Sequence, residues 1–238
     1  MKSVYVYTPG KVKISVRHIQ LGFDTALIVA PGFFQSKETP TFKKIEKALS
    51  DSFGVLSMDF RGHGKSNGLY TFSAREKEDL KSVIDYARTF YKKIGVLGFS
   101  YGGTIAILEQ VEFHNIDSLI CVSSPMASSE IEFKWWTSSA LKLGIKGLEP
   151  GAGVRPGNPY LKKINAIDVV EKVRAPILFI HGSQDPTVSQ RHSEKLYQAA
   201  KDPKSIKIFP AASHAEEIYR RYPVEFIQTI KEWLKKCL

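Results

Sequence analysis

The stretch Ile94-Gly95-Val96-Leu97-Gly98-Phe99-Ser100-Tyr101-Gly102-Gly103, continuing as Thr104-Ile105-Ala106-Ile107-Leu108, decides how the chain is read. Its first part is a short apolar run rich in branched residues, the signature of a buried strand; its last part reads as an apolar helix. Between them stands Gly98-x-Ser100-x-Gly102, the spacing of a nucleophile elbow. A serine on a very sharp strand-to-helix turn has strained backbone angles and crowded neighbours. Glycines two residues to either side remove the side chains that would clash. The hydroxyl of Ser100 is then exposed above a sheet, and the backbone N–H of Tyr101 points to the same spot from a helix N-terminus.

Strands and helices alternate outward from this point. Ser3 to Tyr7 and Lys11 to Ile19 flank Pro9-Gly10, and Val12, Ile14 and Val16 alternate with Lys11, Lys13 and Arg17. The pattern predicts a half-exposed antiparallel hairpin. Apolar runs predict strands at Thr25–Ala30, Gly54–Asp59, Ile116–Ser123, Pro176–His181 and Ser205–Phe209. Helical spacing appears over Pro40–Asp51, with Thr39 or Thr41 as possible cap, and over Ser73–Phe90, Ser189–Ala200 and Val224–Lys236. Such alternation implies a mostly parallel sheet covered by helices on both faces. Residues 125–165 interrupt it with Trp135-Trp136 and a Gly- and Pro-rich run from Gly144 to Pro159. An insertion there, just beyond the serine turn, is where a short cap would sit. The expected organisation is one domain over residues 1–238 carrying that cap.

The chain has 238 residues, of which 43% are hydrophobic and 24% charged, the composition of a globular protein with a substantial core. The formal charge is +10, yet the basic residues are dispersed among Glu and Asp and form no block of five. Solvated helix faces explain them better than a nucleic-acid stripe. Cys121 lies in an apolar run and reads as a core thiol, while Cys237 is expected to be exposed. Two cysteines make no disulfide framework, and no pair of His or Cys shows metal-ligand spacing. No segment reaches bilayer-spanning length, and the N-terminus lacks a signal peptide's apolar core. A cytoplasmic protein without cofactor or metal is expected.

Four landmarks, in order, resemble the α/β-hydrolase family over essentially the whole chain. They are Pro31-Gly32-Phe33, Asp59-x-Arg61-Gly62-x-Gly64-x-Ser66, the Gly98–Gly102 elbow, and His181-Gly-x-x-Asp185 followed by Ala212-Ser213-His214. The likeness is greatest to small bacterial and archaeal esterases and to serine-peptidase-like hydrolases related to monoacylglycerol lipases. It implies an α/β-hydrolase fold with an N-terminal antiparallel hairpin and a short cap.

A serine hydroxyl is a poor nucleophile and needs a base, which in turn needs a carboxylate to orient it. Ser100, Asp185 and His214 each follow a strand and keep the order expected of this architecture. Of the six histidines, His18 falls on the hairpin, His114 at a helix end and His192 on a helix face. His63 and His181 belong to loops whose role in the family is packing and hydrogen bonding, and His214 alone has the right order and a small-residue approach. Asp202 and Asp168 are rival acids, and Glu216 or Glu217 could touch His214 locally. The oxyanion donors implied are the backbone N–H groups of Tyr101 and Phe33. Here Pro31 stands where the family commonly has histidine, so one side-chain bond holding that loop is missing. Phe34, Trp135 and Trp136 are candidates, with Phe33 and Tyr101, to line a substrate pocket.

The expected reaction is cleavage of a carboxylic ester or related small acyl substrate through an acyl-enzyme. Peptidase, thioesterase and monoacylglycerol lipase activities would use the same three residues. A non-catalytic ligand receptor on the same fold is the alternative from another class, and turnover against mere retention of ligand separates them. Ser100 argues against a dehalogenase, which would carry Asp at the elbow, and Gly98-x-x-x-Gly102-Gly103 lacks dinucleotide-binding glycine spacing.

Overall fold

The computed structural model describes residues 1–19, 22–131 and 153–238. The expected cap falls largely in the remainder, and Trp135 and Trp136 lie outside the described residues. Eight strands form one sheet: β1 (Lys2–Tyr7), β2 (Lys13–Ile19), β3 (Thr25–Ala30), β4 (Gly54–Met58), β5 (Lys93–Phe99), β6 (Ser118–Val122), β7 (Ile177–Gly182) and β8 (Lys204–Phe209). Their order is β1-β2-β4-β3-β5-β6-β7-β8. The β1/β2 and β2/β4 pairs are antiparallel and every other pair is parallel. The alternation of strand and helix from residue 25 onward dictates this, because a parallel neighbour can be reached only through a crossover.

The period of two along each strand sorts side chains into two cores. Ala26, Ile28 and Ala30 of β3 and Ile94 and Val96 of β5 face α2 (Glu76–Arg88), α3 (Tyr101–Phe113) and α4 (Gln190–Ala199). Leu27, Val29, Leu97 and Phe99 face α1 (Pro40–Leu49), α5 (Glu216–Arg221) and α6 (Pro223–Cys237). On α6 the buried stripe is Phe226, Ile227, Ile230, Trp233 and Leu234, a 3.6-residue repeat opened by Pro223 at its first turn. Trp233 Nε1 donates to Ser118 Oγ at 3.0 Å, so the indole enters the core with its donor satisfied. Among the described residues no helix is long and apolar enough to cross a membrane.

Several local expectations are corrected. Strand β2 is not half exposed: Arg17 and His18 are both buried. Arg17 is covered by Glu46 of α1, at 2.9 Å, and by Glu38, at 2.7 Å, while His18 is held by Tyr91 Oη at 2.7 Å and Tyr86 Oη at 3.1 Å. Burial pushes the His18 imidazole down to about 4, so it is neutral behind its two tyrosines. Helix α1 has no side-chain cap bond from Thr39. Helix α2 begins at Glu76 rather than Ser73, because Phe72 and Ser73 take left-handed φ angles of 56° and 74°. Glu76 reaches back to bond the N–H of Thr71 at 2.6 Å and its hydroxyl, closing the turn that replaces the expected first helical turn. His192 does lie on a helix, on its buried face, whereas Cys237 is half-buried rather than exposed. Burial pushes the Cys121 thiol up, in keeping with a core residue.

The loop after β4 is built on two buried charge pairs. Arg61 grips Asp79 of α2 through Nε, Nη2 and its backbone N–H at 2.7–2.9 Å. Lys37 meets Asp59, whose carboxylate also accepts the N–H of Lys37 at 2.8 Å and of Lys65 at 2.9 Å. Burial pushes Asp79 up to about 7 against the pull of Arg61, so the guanidinium is what keeps that carboxylate tolerable inside the core. Arg61→Met should therefore destabilise the protein by about 3–5 kcal/mol in urea denaturation. Adding Asp79→Leu should recover most of that loss; strictly additive losses would mean that the pair does not act as one unit.

Candidate active site

Ser100 occupies the hinge between β5 and α3 with φ 50° and ψ −120°, backbone angles that non-glycine residues rarely adopt. Its N–H donates to Val122 O at 2.7 Å, which ties the turn to β6. Space explains the flanking glycines. A Cβ on Gly98 would stand 2.5 Å from Gly103 Cα, and one on Gly102 would run into the carbonyl oxygens of Ala30 and Pro31. The helix start is thus pressed onto the end of β3, and the serine turn can be that tight only without those two side chains.

Asp185 follows β7 and His214 follows β8, and with β5 these parallel strands deliver their loops to one edge of the sheet. His214 Nε2 lies 3.1 Å from Ser100 Oγ, and His214 Nδ1 lies 2.7 Å from Asp185 Oδ2. The structure therefore brings together the three side chains that strand-end placement, chain order and the family resemblance suggested. The Asp185 side chain is fully buried, while that of His214 retains 21% exposure. Asp185 Oδ1 accepts the N–H groups of Thr187 and Val188, each at 2.9 Å. Burial opposes the Asp185 charge, but bonds from His181, His214 and the Val188 amide outweigh it and hold the carboxyl well below the usual carboxylate range.

The rivals lie elsewhere. Asp168 and Asp202 are exposed, and Asp168 accepts from Asn165 at 3.0 Å. Glu217 pairs with Arg220. Glu216 does stand in the electrostatic field of His214, and burial pushes its carboxyl up, but it bonds Gln35 rather than the imidazole. The other histidines are engaged as well: His63 Nδ1 lies 3.1 Å from Arg61 O, and His192 Nδ1 accepts the N–H of Met126 at 3.1 Å. His114 ends α3 in a left-handed conformation.

Tyr101 opens α3, where the first N–H groups have no intrahelical acceptor. Neither the Tyr101 N–H nor the Phe33 N–H meets a hydrogen-bond acceptor among the described residues. The loop of Phe33 lies against the serine, since a Cβ on Gly32 would be 3.1 Å from Ser100 Cβ. Without the family's histidine, this loop is held by other means. Gln35 accepts the Gly32 N–H at 3.4 Å and donates to Glu216 beyond His214, while Lys37 is locked to Asp59. Phe33 sits against Phe34, Tyr70 and Tyr101 at centroid distances of 4.4, 5.3 and 6.2 Å. Phe34 itself is half exposed at φ 66°.

Sequence reasoning missed three contributors to this arrangement: Gln35, Ser123 and Tyr70. Ser123, at φ 48°, accepts the Ala215 N–H at 3.0 Å and so anchors the turn after His214. No motif marks a lone serine or glutamine for such work; only the spatial meeting of distant loops reveals it.

Comparison with known proteins places the chain in a family. The model of the alpha/beta hydrolase family matches residues 27–229. The chain belongs to that family. Among solved structures, the Pyrococcus furiosus esterase Pf2001 superimposes with a TM-score of 0.81 at 25% identity, covering 99% of this chain and 92% of the esterase. The human serine hydrolase BPHL is 24% identical over 94% of this chain and 86% of its own length. The uncharacterized protein YfhR of Escherichia coli O157:H7 is 29% identical over 74% of this chain. The chain matches 61% of YfhR's length.

In this α/β hydrolase the Asp185 bonds also carry a stability consequence. An unfolded chain titrates this carboxyl near pH 4, whereas the folded chain takes the proton only at lower pH. The contribution is present above the unfolded value and is lost as pH falls through the folded one. Asp185→Asn should therefore flatten the decline in stability below about pH 4, read as the urea midpoint against pH. An unchanged slope would mean that the carboxylate gains nothing from its donors.

Proposed function

We propose that the protein is a serine hydrolase that cleaves carboxylic esters through an acyl-enzyme, with Ser100 as nucleophile, His214 as base and Asp185 as the orienting acid. The observation that carries this reading is the continuous chain from Ser100 Oγ to His214 at 3.1 Å and on to Asp185 at 2.7 Å. Asp185 accepts a hydrogen bond from Nδ1–H, which leaves the Nε2 lone pair facing the hydroxyl. As Oγ attacks the ester carbonyl carbon, its proton passes to Nε2, and Asp185 stabilises the imidazolium. The carbonyl oxygen becomes an anion to be met by the N–H groups of Tyr101 and Phe33, which have no acceptor among the described residues. Collapse of the adduct expels the alcohol, which takes the proton from Nε2. Water then repeats the sequence on the acyl-enzyme and releases the acid.

The esterase found among similar structures and the serine hydrolase among similar sequences support the same chemistry. Phe33, Phe34 and Tyr101 offer apolar surface for the acyl or alcohol group. The substrate on this reading is a small ester, and the reaction consumes only water. Peptides and thioesters demand the same nucleophile, so they belong in the same assay.

A fluorophosphonate label followed by peptide mapping should mark Ser100. Ser100→Ala should abolish labelling and lower p-nitrophenyl ester hydrolysis by about a thousandfold or more with the fold intact. Comparable turnover by that variant would remove Ser100 from the reaction. Gln35→Ala should lower kcat by about tenfold with little change in KM, because it loosens the loop that carries the Phe33 donor. Loss confined to KM would instead place Gln35 in ground-state binding.

A further inference from the structure

Beside the Asp185 carboxylate, and sharing its Oδ2 with His214, lies a second imidazole that the proposed reaction does not use. His181 is fully buried on β7. Its Nε2 lies 2.7 Å from Val188 O and 3.2 Å from Asp185 Oδ2. A carbonyl and a carboxylate have no proton to give, so Nε2 must carry one and point it at both. On the other side of the ring, Nδ1 lies 2.6 Å from the hydroxyl oxygen of Ser193, a buried residue of α4. That hydroxyl donates to the Nδ1 lone pair and fixes the tautomer from the far side.

We propose that Ser193 and His181 form a positioning pair that holds the Asp185 carboxylate in place and sets how firmly it retains the proton on His214. The proposal rests on reading Asp185 and His214 as the acid and base of the reaction. The geometry supports more than a packing role. Asp185 Oδ1 is held by the two amides of the 187–188 turn, and Oδ2 lies between His214 and His181. Val188, whose carbonyl takes the main His181 bond, supplies one of those two amides, so a single imidazole steadies both the carboxylate and the turn that cradles it. Hydrogen bonds in such a chain polarise one another. When Ser193 donates to Nδ1, the ring is held in the tautomer that presents Nε2–H, and Asp185 Oδ2 becomes a weaker base towards His214.

Among the described residues, the other charged groups near the chain are directed elsewhere. The neighbouring His192 of α4 faces Met126 N and Glu130 O at 3.1 Å, and Arg191 pairs with Glu130 at 3.0 Å. From α5, Glu216 faces His214 but bonds Gln35. Among the described residues, the groups that set the Asp185–His214 pair are therefore His181, Ser193 and the Thr187 and Val188 amides, together with Ser100 and Glu216.

Ser193→Ala removes one hydroxyl and is the decisive variant; His181→Gln keeps a donor at a similar reach. In Ser193→Ala, kcat should fall about five- to tenfold with KM within about twofold, and the acid limb of kcat/KM should move up by about half a pH unit. The low-field proton resonance of His214 Nδ1–H should shift in the same variant, and His181→Gln should restore part of the lost kcat relative to His181→Ala. A merely structural serine would change stability and leave both the acid limb and that resonance where they were, which would overturn the proposal. If His181→Gln does not fold, Ser193→Ala decides alone. The resonance is measured without substrate, so the two readings fail separately. A wild-type protein that turned over no ester would sink the esterase reading, and the shift or constancy of the resonance would still decide the pairing.

Discussion

The tightest constraint in the molecule is the close approach of the α3 N-terminus to the ends of β3 and β5. Ser100 takes a left-handed φ there, and Gly98 and Gly102 lack the side chains that would hold the helix away. The consequences spread in both directions. Because α3 starts against the carbonyls of Ala30 and Pro31, the loop after β3 must leave over the serine, which carries Phe33 to its position. Because Ser100 N is tied to Val122 O, and Ser123 then receives Ala215 N, the strand beside the elbow sets the turn after His214. A strained serine is a local cost, offset by packing on both sheet faces around β5.

Buried charge follows the same logic. The protein places Asp59, Asp79 and Asp185 out of water, and each is met by multiple donors rather than by a single counter-ion. For Asp59 and Asp79 the donors include Lys37 and Arg61, which join loops to the scaffold. For Asp185 they are imidazoles and amides, with no permanent cation in the set. A lysine or arginine at that place would neutralise the carboxylate and weaken its hold on His214. Imidazole and amide donors satisfy the oxygens and leave the negative charge available to the ring that needs it.

Sequence carried the fold well wherever a period was clean. The strands of the parallel sheet were legible from apolar runs, and α6 from its repeat, because burial on both faces leaves little freedom in residue type. Ser100, Asp185 and His214 were legible because the family resemblance, chain order and strand-end placement together restrict the choice, and the structure brings the three within bonding distance. What escaped were contacts between segments far apart in the chain. The buried face of β2 was misread because Arg17 looks like a solvent residue until Glu46 and Glu38 are brought across from α1 and the loop before it. The start of α2 was misread because Thr71 and Glu76 compete with helix propensity through local bonds. Gln35, Ser123 and Ser193 carry no motif at all, since a hydroxyl or carboxamide acquires its task only from the group placed opposite it.

Pro31 shows the same dependence on distant partners. Proline fixes φ and contributes no donor, so the loop it opens gains stiffness and loses a tether. The replacements are Gln35, reaching across to Glu216, and Lys37, buried against Asp59. They differ in kind. The lysine pair is sealed from water and joins the loop to the scaffold behind it, where it fixes overall placement. The glutamine joins the loop to the segment just beyond His214, so the stretch with the Phe33 amide and the stretch with the imidazole are braced against each other. The glutamine bridge couples the spacing of the His214 imidazole and the Phe33 amide, so that movement of either loop is transmitted to the other.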